Sequence, residues 1–208
     1  MGSSRLKLES WWNAGLLSHP DRLTDVRSWH GHIPFAFWVI EAAEPRTVVE
    51  LGTHKGDSFA ALCQRVKEIG LDATCYAVDT WAGDEHSGLY GEDVFTEASE
   101  YFGYHFEGIA KLLRMYFAEA LENFDDGSID LLHIDGFHTY EAVSEDFAKW
   151  LPKMSSRGLV MLHDIAVRER GFGVWRFWDE LARQYPNVAF SHSNGLGVIA
   201  VGETVPVA

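Results

Sequence analysis

Cysteine and proline are scarce in this chain of 208 residues, which contains two cysteines and six prolines. Two cysteines, Cys63 and Cys75, are too few for a disulfide framework or for a cysteine-rich zinc site. We therefore expect both thiols to be reduced and buried, in a protein of the cytoplasm. The first seven residues lack the apolar stretch of a signal peptide, in agreement with that expectation.

Basic residues are also few relative to acidic ones. Lysine and arginine together number 17 against 31 aspartate and glutamate residues, so the formal net charge is −14. A surface of this sign repels phosphate backbones and anionic lipid headgroups, and we expect neither nucleic acid nor a membrane surface as a partner. Long apolar runs are missing as well: the longest, residues 33–40, contains Pro34 and is too short to cross a bilayer. We expect no membrane insertion.

The apolar residues that are present make up 47% of the chain, enough for a substantial core in one main domain. Short β-branched runs alternate with segments of helical period, which predicts a parallel sheet with helices on both faces. The last two runs are joined by a short turn and must form an antiparallel hairpin. The predicted fold is an α/β, doubly wound, Rossmann-like sheet of seven strands with one antiparallel strand. The predicted strands are residues 47–51, 75–78, 114–118, 129–134, 159–162, 188–190 and 197–201.

The sequence divides into an N-terminal helical segment, residues 1–45, and a main domain, residues 46–208. The first segment is too short for an independent domain, and we expect it to cover the open end of the sheet. Its aromatic side chains can instead be buried against a second copy of the chain, so a homo-oligomer is an open alternative. The aromatic residues concerned are Trp11, Trp12, Trp29, Phe35, Phe37 and Trp38.

Charged or glycine-containing sequences follow four of the predicted strands. Ligands of such sheets bind beyond the carboxyl ends of the strands. After the first strand, Gly52 and Gly56 permit a tight turn before a helix N-terminus that can bind an anion. Two common phosphate-binding patterns, GxxxxGK[ST] and GxGxxG, are absent. Asp79 ends the next strand, where an acid can accept hydrogen bonds from both hydroxyls of a ribose.

These motifs resemble those of the class I S-adenosylmethionine-dependent methyltransferases over about residues 45–202. The Asp-Gly-x-His-x-Tyr segment at residues 135–140 and the His-Asp pair at 163–164 are most similar to the small metal-dependent sugar O-methyltransferases of macrolide biosynthesis. The resemblance implies an S-adenosylmethionine-dependent O-methyltransferase that methylates a hydroxyl of a sugar, in a glycan or a glycosylated natural product. The other residues that carry it are Glu50, Gly52, Gly56, Ser58 and Asp79.

The resemblance also implies how the cofactor would be bound. Glu50 would bind the ammonium of the methionyl part and Ser58 its carboxylate. Asp79 would bind the ribose, and Trp81 would pack on the adenine. An acid, a helix N-terminus, a second acid and an aromatic residue match the ammonium, carboxylate, diol and purine of this ligand. The remaining implied contacts are Gly52, Thr53, His54 and Gly56 at the methionyl end and Ala118 and Glu119 at the adenine edge.

Asp135, His163 and Asp164 follow two strands that we expect to be neighbours, and they are candidate metal ligands. Two carboxylates at one edge repel unless they are protonated or bridged by a cation, and oxygen ligands favour Mg²⁺. The related enzymes have two acidic or amide groups after the fifth strand, and here the first of them is His163. As a ligand it would shift the preference toward Mn²⁺ or another transition ion. A hydrogen-bonded core position for His163 is the alternative.

His138 is the candidate catalytic base, together with Asp135 at the same strand end. A sugar hydroxyl is a weak nucleophile; coordination to a divalent ion lowers its pKa, and a neutral imidazole can accept its proton. The alternative is that His138 caps the next helix or supports a ligand.

Two other functions are compatible with the sequence. A metal-dependent hydrolase would use the acidic and histidine residues but would need neither Glu50 nor Asp79. A non-catalytic module on a methyltransferase scaffold would bind a sugar or a partner. The presence of Glu50, Asp79, Asp135 and His138 argues against it.

Overall fold

A computed structural model describes residues 14–86 and 88–204. Its main sheet consists of β1 (Thr47–Leu51), β2 (Thr74–Asp79), β3 (Ala110–Arg114), β4 (Ile129–Ile134), β5 (Met154–His163), β6 (Asn187–Phe190) and β7 (Leu196–Ala200). The strands lie in the order β3-β2-β1-β4-β5-β7-β6. Strand β7 pairs antiparallel with both β5 and β6, and the pairs among β1 to β5 are parallel. The predicted sheet is confirmed.

Helices cover both faces of this sheet. The α-helices are α1 (Ile33–Ala43), α2 (Asp57–Ile69), α3 (Glu92–His105), α4 (Phe117–Ala120), α5 (Tyr140–Trp150) and α6 (Val174–Leu181). Short 3₁₀-helices span Ala14–Leu17, Arg27–His32, Leu121–Asn123 and Leu151–Lys153, and a small hairpin pairs Gly83–Asp84 with Gly88–Leu89. Within the described ranges, no helix combines the length and apolarity needed to span a membrane.

The core has two parts because successive side chains of a strand point to opposite faces. Val48 of β1 belongs to the cluster under α1 and α2, which includes Phe37 and Phe59. Val49, the next residue, belongs to the cluster under α5 and α6, which includes Phe147 and Trp150. The sheet is thus buried on both faces.

The segment before residue 46 shares this core. Phe37 and Ile40 of α1 are fully buried beside α2, on a face of the sheet. Residues 26–29 of this segment lie at the carboxyl end of the sheet, since Val26, Ser28 and Trp29 line the cavity there. Trp11 and Trp12 lie outside the described residues. The division at residue 46 stays a prediction.

The third strand differs from its prediction. Helix α3 ends at His105, and β3 spans Ala110–Arg114 instead of residues 114–118. The chain leaves the helix through Gly108, whose φ of 79° is in the left-handed region, and β3 then pairs along β2. Leu112 and Leu113 fit a helical period and a strand equally well, which is the ordinary ambiguity of a short apolar run.

Candidate active site

A cavity of about 580 Å³ opens at the carboxyl ends of the parallel strands. Its walls include the loop 52–58 after β1, Asp79 at the end of β2, residues 135–138 after β4, and the pair 163–164 at the end of β5. The four strand-end sequences singled out above therefore meet around one space.

The loop after β1 brings its backbone close to the end of β4. Gly52 and Gly56 have φ values of 87° and 82°, which favour glycine. A side chain on Gly52 would collide with the carbonyl of Asp135, and one on Gly56 with the ring of Phe102. Ser58, in the first turn of α2, lines the cavity next to the positive end of that helix.

Asp79 ties two loops together. Its Oδ2 accepts the backbone N–H groups of Thr53 and His54, each at 2.9 Å, and its Oδ1 accepts that of Trp81 at 2.7 Å. Asp79 also lines the cavity. Because a carboxylate oxygen can accept more than one hydrogen bond, the residue retains acceptor capacity for a ligand hydroxyl. No sequence pattern indicated its hydrogen bonds to the two loops.

Glu50 is fully buried and, like Trp81, is not among the residues that line the cavity. Its Oε2 is 2.8 Å from Nδ1 of His133, the buried histidine of β4. Its Oε1 is also buried and has no hydrogen-bond partner among the residues described. A buried carboxylate oxygen without a partner is costly unless a ligand supplies one.

The adenine side differs from the sequence-based expectation. The N–H of the Trp81 indole donates to the carbonyl of His54 at 2.9 Å, which holds the ring in the core and out of the cavity lining. Ala118 and Glu119 are exposed in α4, outside the lining. Because β3 ends at Arg114, the residues that reach the cavity after this strand are Tyr116 and Phe117.

Asp135, His138 and Asp164 form a compact group in which one ligand atom of each lies within 4.8 Å of the others. Nε2 of His138 is 2.9 Å from Oδ2 of Asp164 and 3.7 Å from Oδ1 of Asp135. Oδ1 of Asp164 is buried and has no partner in the described part of the chain. Burial opposes the charged form of His138, but its interactions with the two carboxylates outweigh burial and raise its pKa to about 9.

His163 lies behind this group. Its Nε2 donates to the Ser193 carbonyl at 3.0 Å, and its Nδ1 is 3.2 Å from Oδ1 of Asp135. Burial disfavours the charged imidazole, but the negative charge of Asp135 outweighs it and raises the pKa of His163 well above its ordinary value. Both nitrogens therefore have acceptors, and the nitrogen that completes the candidate metal group belongs to His138.

Aromatic rings close the cavity beside His138. The His138 ring stacks on Phe172 at 4.3 Å between centroids. His86, on the small hairpin, stacks on Phe137 at 4.5 Å and on Phe172 at 4.8 Å. Phe172 belongs to no recognisable motif and comes from a segment far along the chain from His86, so the sequence did not indicate its place at this site.

Comparison with known proteins agrees with this arrangement. A family model described as a methyltransferase domain matches residues 49–165. An uncharacterized protein, y4gI, of Sinorhizobium fredii is 44% identical over 189 residues, which are 91% of this chain and 21% of that protein. An uncharacterized protein, R132, of Acanthamoeba polyphaga mimivirus is 29% identical over 125 residues, 57% of this chain and 51% of that protein. The chain thus spans about a fifth and about half of the lengths of these relatives.

Solved methyltransferases have the same fold. The methyltransferase PaMTH1 of Podospora anserina, bound to SAH, superposes with a TM-score of 0.65 at 14% identity, over 91% of this chain and 88% of that one. The O-methyltransferase TomG of Streptomyces achromogenes, in complex with SAM, gives 0.61 at 14% identity, over 95% and 100%. Since the family model matches more than half of the residues, this chain belongs to the methyltransferase-domain family.

Proposed function

We propose that this domain transfers the methyl group of S-adenosylmethionine to a hydroxyl oxygen of a sugar, in a glycan or a glycosylated natural product, with the help of a divalent metal ion. One observation carries the proposal. The glycine loop 52–58 with Asp79 and the group of Asp135, His138 and Asp164 line the same cavity. A methyl donor at the first group would face acid–base and metal-ligating side chains at the second.

The cofactor would lie along the loop after β1. Ser58 at the start of α2 would bind its carboxylate and Asp79 its ribose. Glu50 would bind its ammonium, which is supported by the unpaired buried Oε1. For the adenine we assign Tyr116 and Phe117 in place of Trp81, because both line the cavity.

The residues present fit a divalent ion. Asp135 and Asp164 would hold it, with His138 as the third group within reach, and the unpaired Oδ1 of Asp164 supports this assignment. Carboxylate ligands favour Mg²⁺, and an imidazole ligand would favour Mn²⁺. When bound, the ion would lower the pKa of an acceptor hydroxyl and hold it in place.

The reaction would be an in-line displacement. The hydroxyl oxygen forms a bond to the methyl carbon while the bond from that carbon to sulfur breaks, and its electrons stay on sulfur. Nε2 of His138 takes the hydroxyl proton. Positioning can contribute roughly 7–11 kcal/mol and a base a factor of about 10²–10⁴.

A histidine whose pKa is about 9 holds its own proton at neutral pH and must lose it before it can act as a base. A cation beside Asp135 and Asp164 would replace that proton as their counter-charge, which is why the base and the metal are proposed together. Metal binding by Nε2 itself is the alternative, since one lone pair cannot serve both purposes.

Calorimetry with S-adenosylmethionine and S-adenosylhomocysteine tests the proposal first. We expect both to bind, and no heat at millimolar ligand would reject the methyltransferase assignment in favour of a hydrolase. Methyl transfer from labelled cofactor to a panel of free sugars and glycosides, with and without Mg²⁺ or Mn²⁺, then tests the acceptor class. Transfer to none of them, with aromatic hydroxyl compounds methylated instead, would reject the sugar.

A further inference from the structure

The N-terminal segment reaches the cofactor site through a buried chain of hydrogen bonds. Trp29, in the 3₁₀-helix Arg27–His32, lines the cavity and is 3% exposed. Its indole N–H donates to Nε2 of His133 at 3.2 Å. Nδ1 of His133 is in turn 2.8 Å from Oε2 of Glu50, and both of these residues are fully buried.

The donor and acceptor in each of these two hydrogen bonds follow from the chemistry of the indole and imidazole rings. An indole nitrogen can only donate, so Nε2 of His133 must be the acceptor and carries no proton. A neutral imidazole without a proton on Nε2 carries its proton on Nδ1, so the Nδ1–H of His133 donates a hydrogen bond to Oε2 of Glu50. Trp29 thereby selects one tautomer of His133, and that tautomer holds Oε2 of Glu50.

The remaining oxygen, Oε1 of Glu50, is then the one that is free for a ligand. We propose that Trp29 and His133 are positioning residues that orient Glu50 for the ammonium group of S-adenosylmethionine. The inference rests on the role of Glu50 in the proposed function. It makes residues before the sheet part of the cofactor site.

Contacts of the same segment with the cofactor loop support this role. Thr24 donates its N–H and its hydroxyl to the carboxylate of Asp57, at 2.8 and 2.5 Å. Arg22 donates to the carbonyl of Lys55 at 2.9 Å. Trp29 is therefore held in place relative to the loop on which the methionyl group would lie.

Two ligands test the inference, because 5′-methylthioadenosine contains the adenosine of S-adenosylhomocysteine but lacks its ammonium and carboxylate. Trp29→Phe and His133→Leu should weaken the binding of S-adenosylhomocysteine by about 10-fold, the effect of a lost hydrogen bond to a charged group. Binding of 5′-methylthioadenosine should change by less than about 2-fold. His133→Asn keeps a donor near the Nδ1 position and should restore part of the loss.

Trp150→Phe is the matched control. Trp150 is fully buried in the cluster under α5 and α6, and its indole N–H has no partner among the described residues. The same substitution there should leave the ratio of the two dissociation constants at the wild-type value. Equal weakening of both ligands by Trp29→Phe, or weakening of neither, would overturn the inference.

A measurement on the unmodified protein covers the case in which the variants do not fold. Nitrogen-15 NMR of the histidine side chains should show His133 with its proton on Nδ1. A proton on Nε2, or on both nitrogens, would contradict the chain of bonds. Wild-type protein that binds neither ligand would reject the proposed function and this inference together, whereas binding with unchanged selectivity in the variants would reject this inference alone.

Discussion

At the scale of single residues, Asp79 combines a structural position with a place in the wall of the cavity. It accepts three backbone N–H groups from two loops while facing the cavity. The sequence identified this acid by its place at a strand end. It could not show the loop contacts, because they depend on how residues 53, 54 and 81 fold back toward the strand.

Asp79→Asn should therefore lower both stability and cofactor affinity. An amide NH₂ in place of one oxygen cannot accept the backbone hydrogen bonds, and we expect a loss of about 1–3 kcal/mol in the free energy of unfolding. Urea denaturation and calorimetry with S-adenosylhomocysteine measure the two effects. Asp72→Asn, at an exposed acid, is the control. Weaker binding at unchanged stability would mean that the loop contacts contribute nothing.

The pKa of His138 predicts a pH dependence of stability in the presence of a chelator. Its folded-state pKa of about 9 is above the ordinary 6.5, so the protonated form stabilises the fold. This contribution is complete below about pH 6.5 and is lost as the pH rises through about 9, with an upper limit of about 3 kcal/mol. Urea denaturation at several pH values should show a decline that is smaller in His138→Gln. Identical pH profiles would contradict the coupling to Asp135 and Asp164.

Metal removal should separate turnover from cofactor binding. Asp135 and Asp164 are assigned to the ion and different side chains to the cofactor, so EDTA should abolish methyl transfer and leave the affinity for S-adenosylhomocysteine within about 2-fold. Readdition of Mg²⁺ or Mn²⁺ should restore activity. Full activity after exhaustive chelation would reject the role of the metal ion.

At the scale of secondary-structure elements, the alternation of strands and helices was predictable from the sequence, and the local geometry at strand ends was not. The pattern around Val48 and Val49 indicates a strand buried on both faces, as observed. By contrast, Trp81 has a φ of 51° and turns its ring away from the cavity. No periodicity encodes such a turn, so the sequence could not show that this ring lies outside the cavity lining.

The two histidines near the carboxylates show the same limit. His163 ends β5 and His138 lies in the loop after β4, so both were candidates by position. The Ser193 carbonyl accepts a hydrogen bond from Nε2 of His163, so this ring meets Asp135 and Asp164 through Nδ1, at 3.2 and 3.4 Å. That carbonyl belongs to the turn between β6 and β7, 30 residues further along the chain.

The loop after β4 supplies a test of the adenine wall. A Cβ on Gly136 would lie 2.5 Å from the ring of Phe117, so Gly136→Ala should displace that ring. We expect weaker binding of both S-adenosylhomocysteine and 5′-methylthioadenosine, since both contain adenine. Gly103→Ala in α3 is the control, because nothing lies within 4 Å of its added methyl group. Unchanged affinity in Gly136→Ala would remove Phe117 from the site.

At the scale of the whole molecule, residues before 46 and after it share one core, as Phe37 shows by packing with Phe59 in the same cluster. Phe37→Ala should therefore destabilise the entire protein by roughly 3–5 kcal/mol in a single transition. Denaturation followed by tryptophan fluorescence and by circular dichroism should give coincident curves. Leu17→Ala, at an exposed side chain, should have little effect. Two separate transitions would show that the N-terminal segment unfolds on its own.

The bond between Trp29 and His133 joins residues 104 positions apart, and it has a consequence for biosynthesis. During translation, Trp29 is synthesised long before β4, the strand that carries its acceptor His133. The bond cannot form in the nascent chain until β4 has been synthesised and has paired with β1. A truncated translation product that stops short of β4 would lack His133, and with it the hydrogen bonds that His133 makes to Trp29 and Glu50.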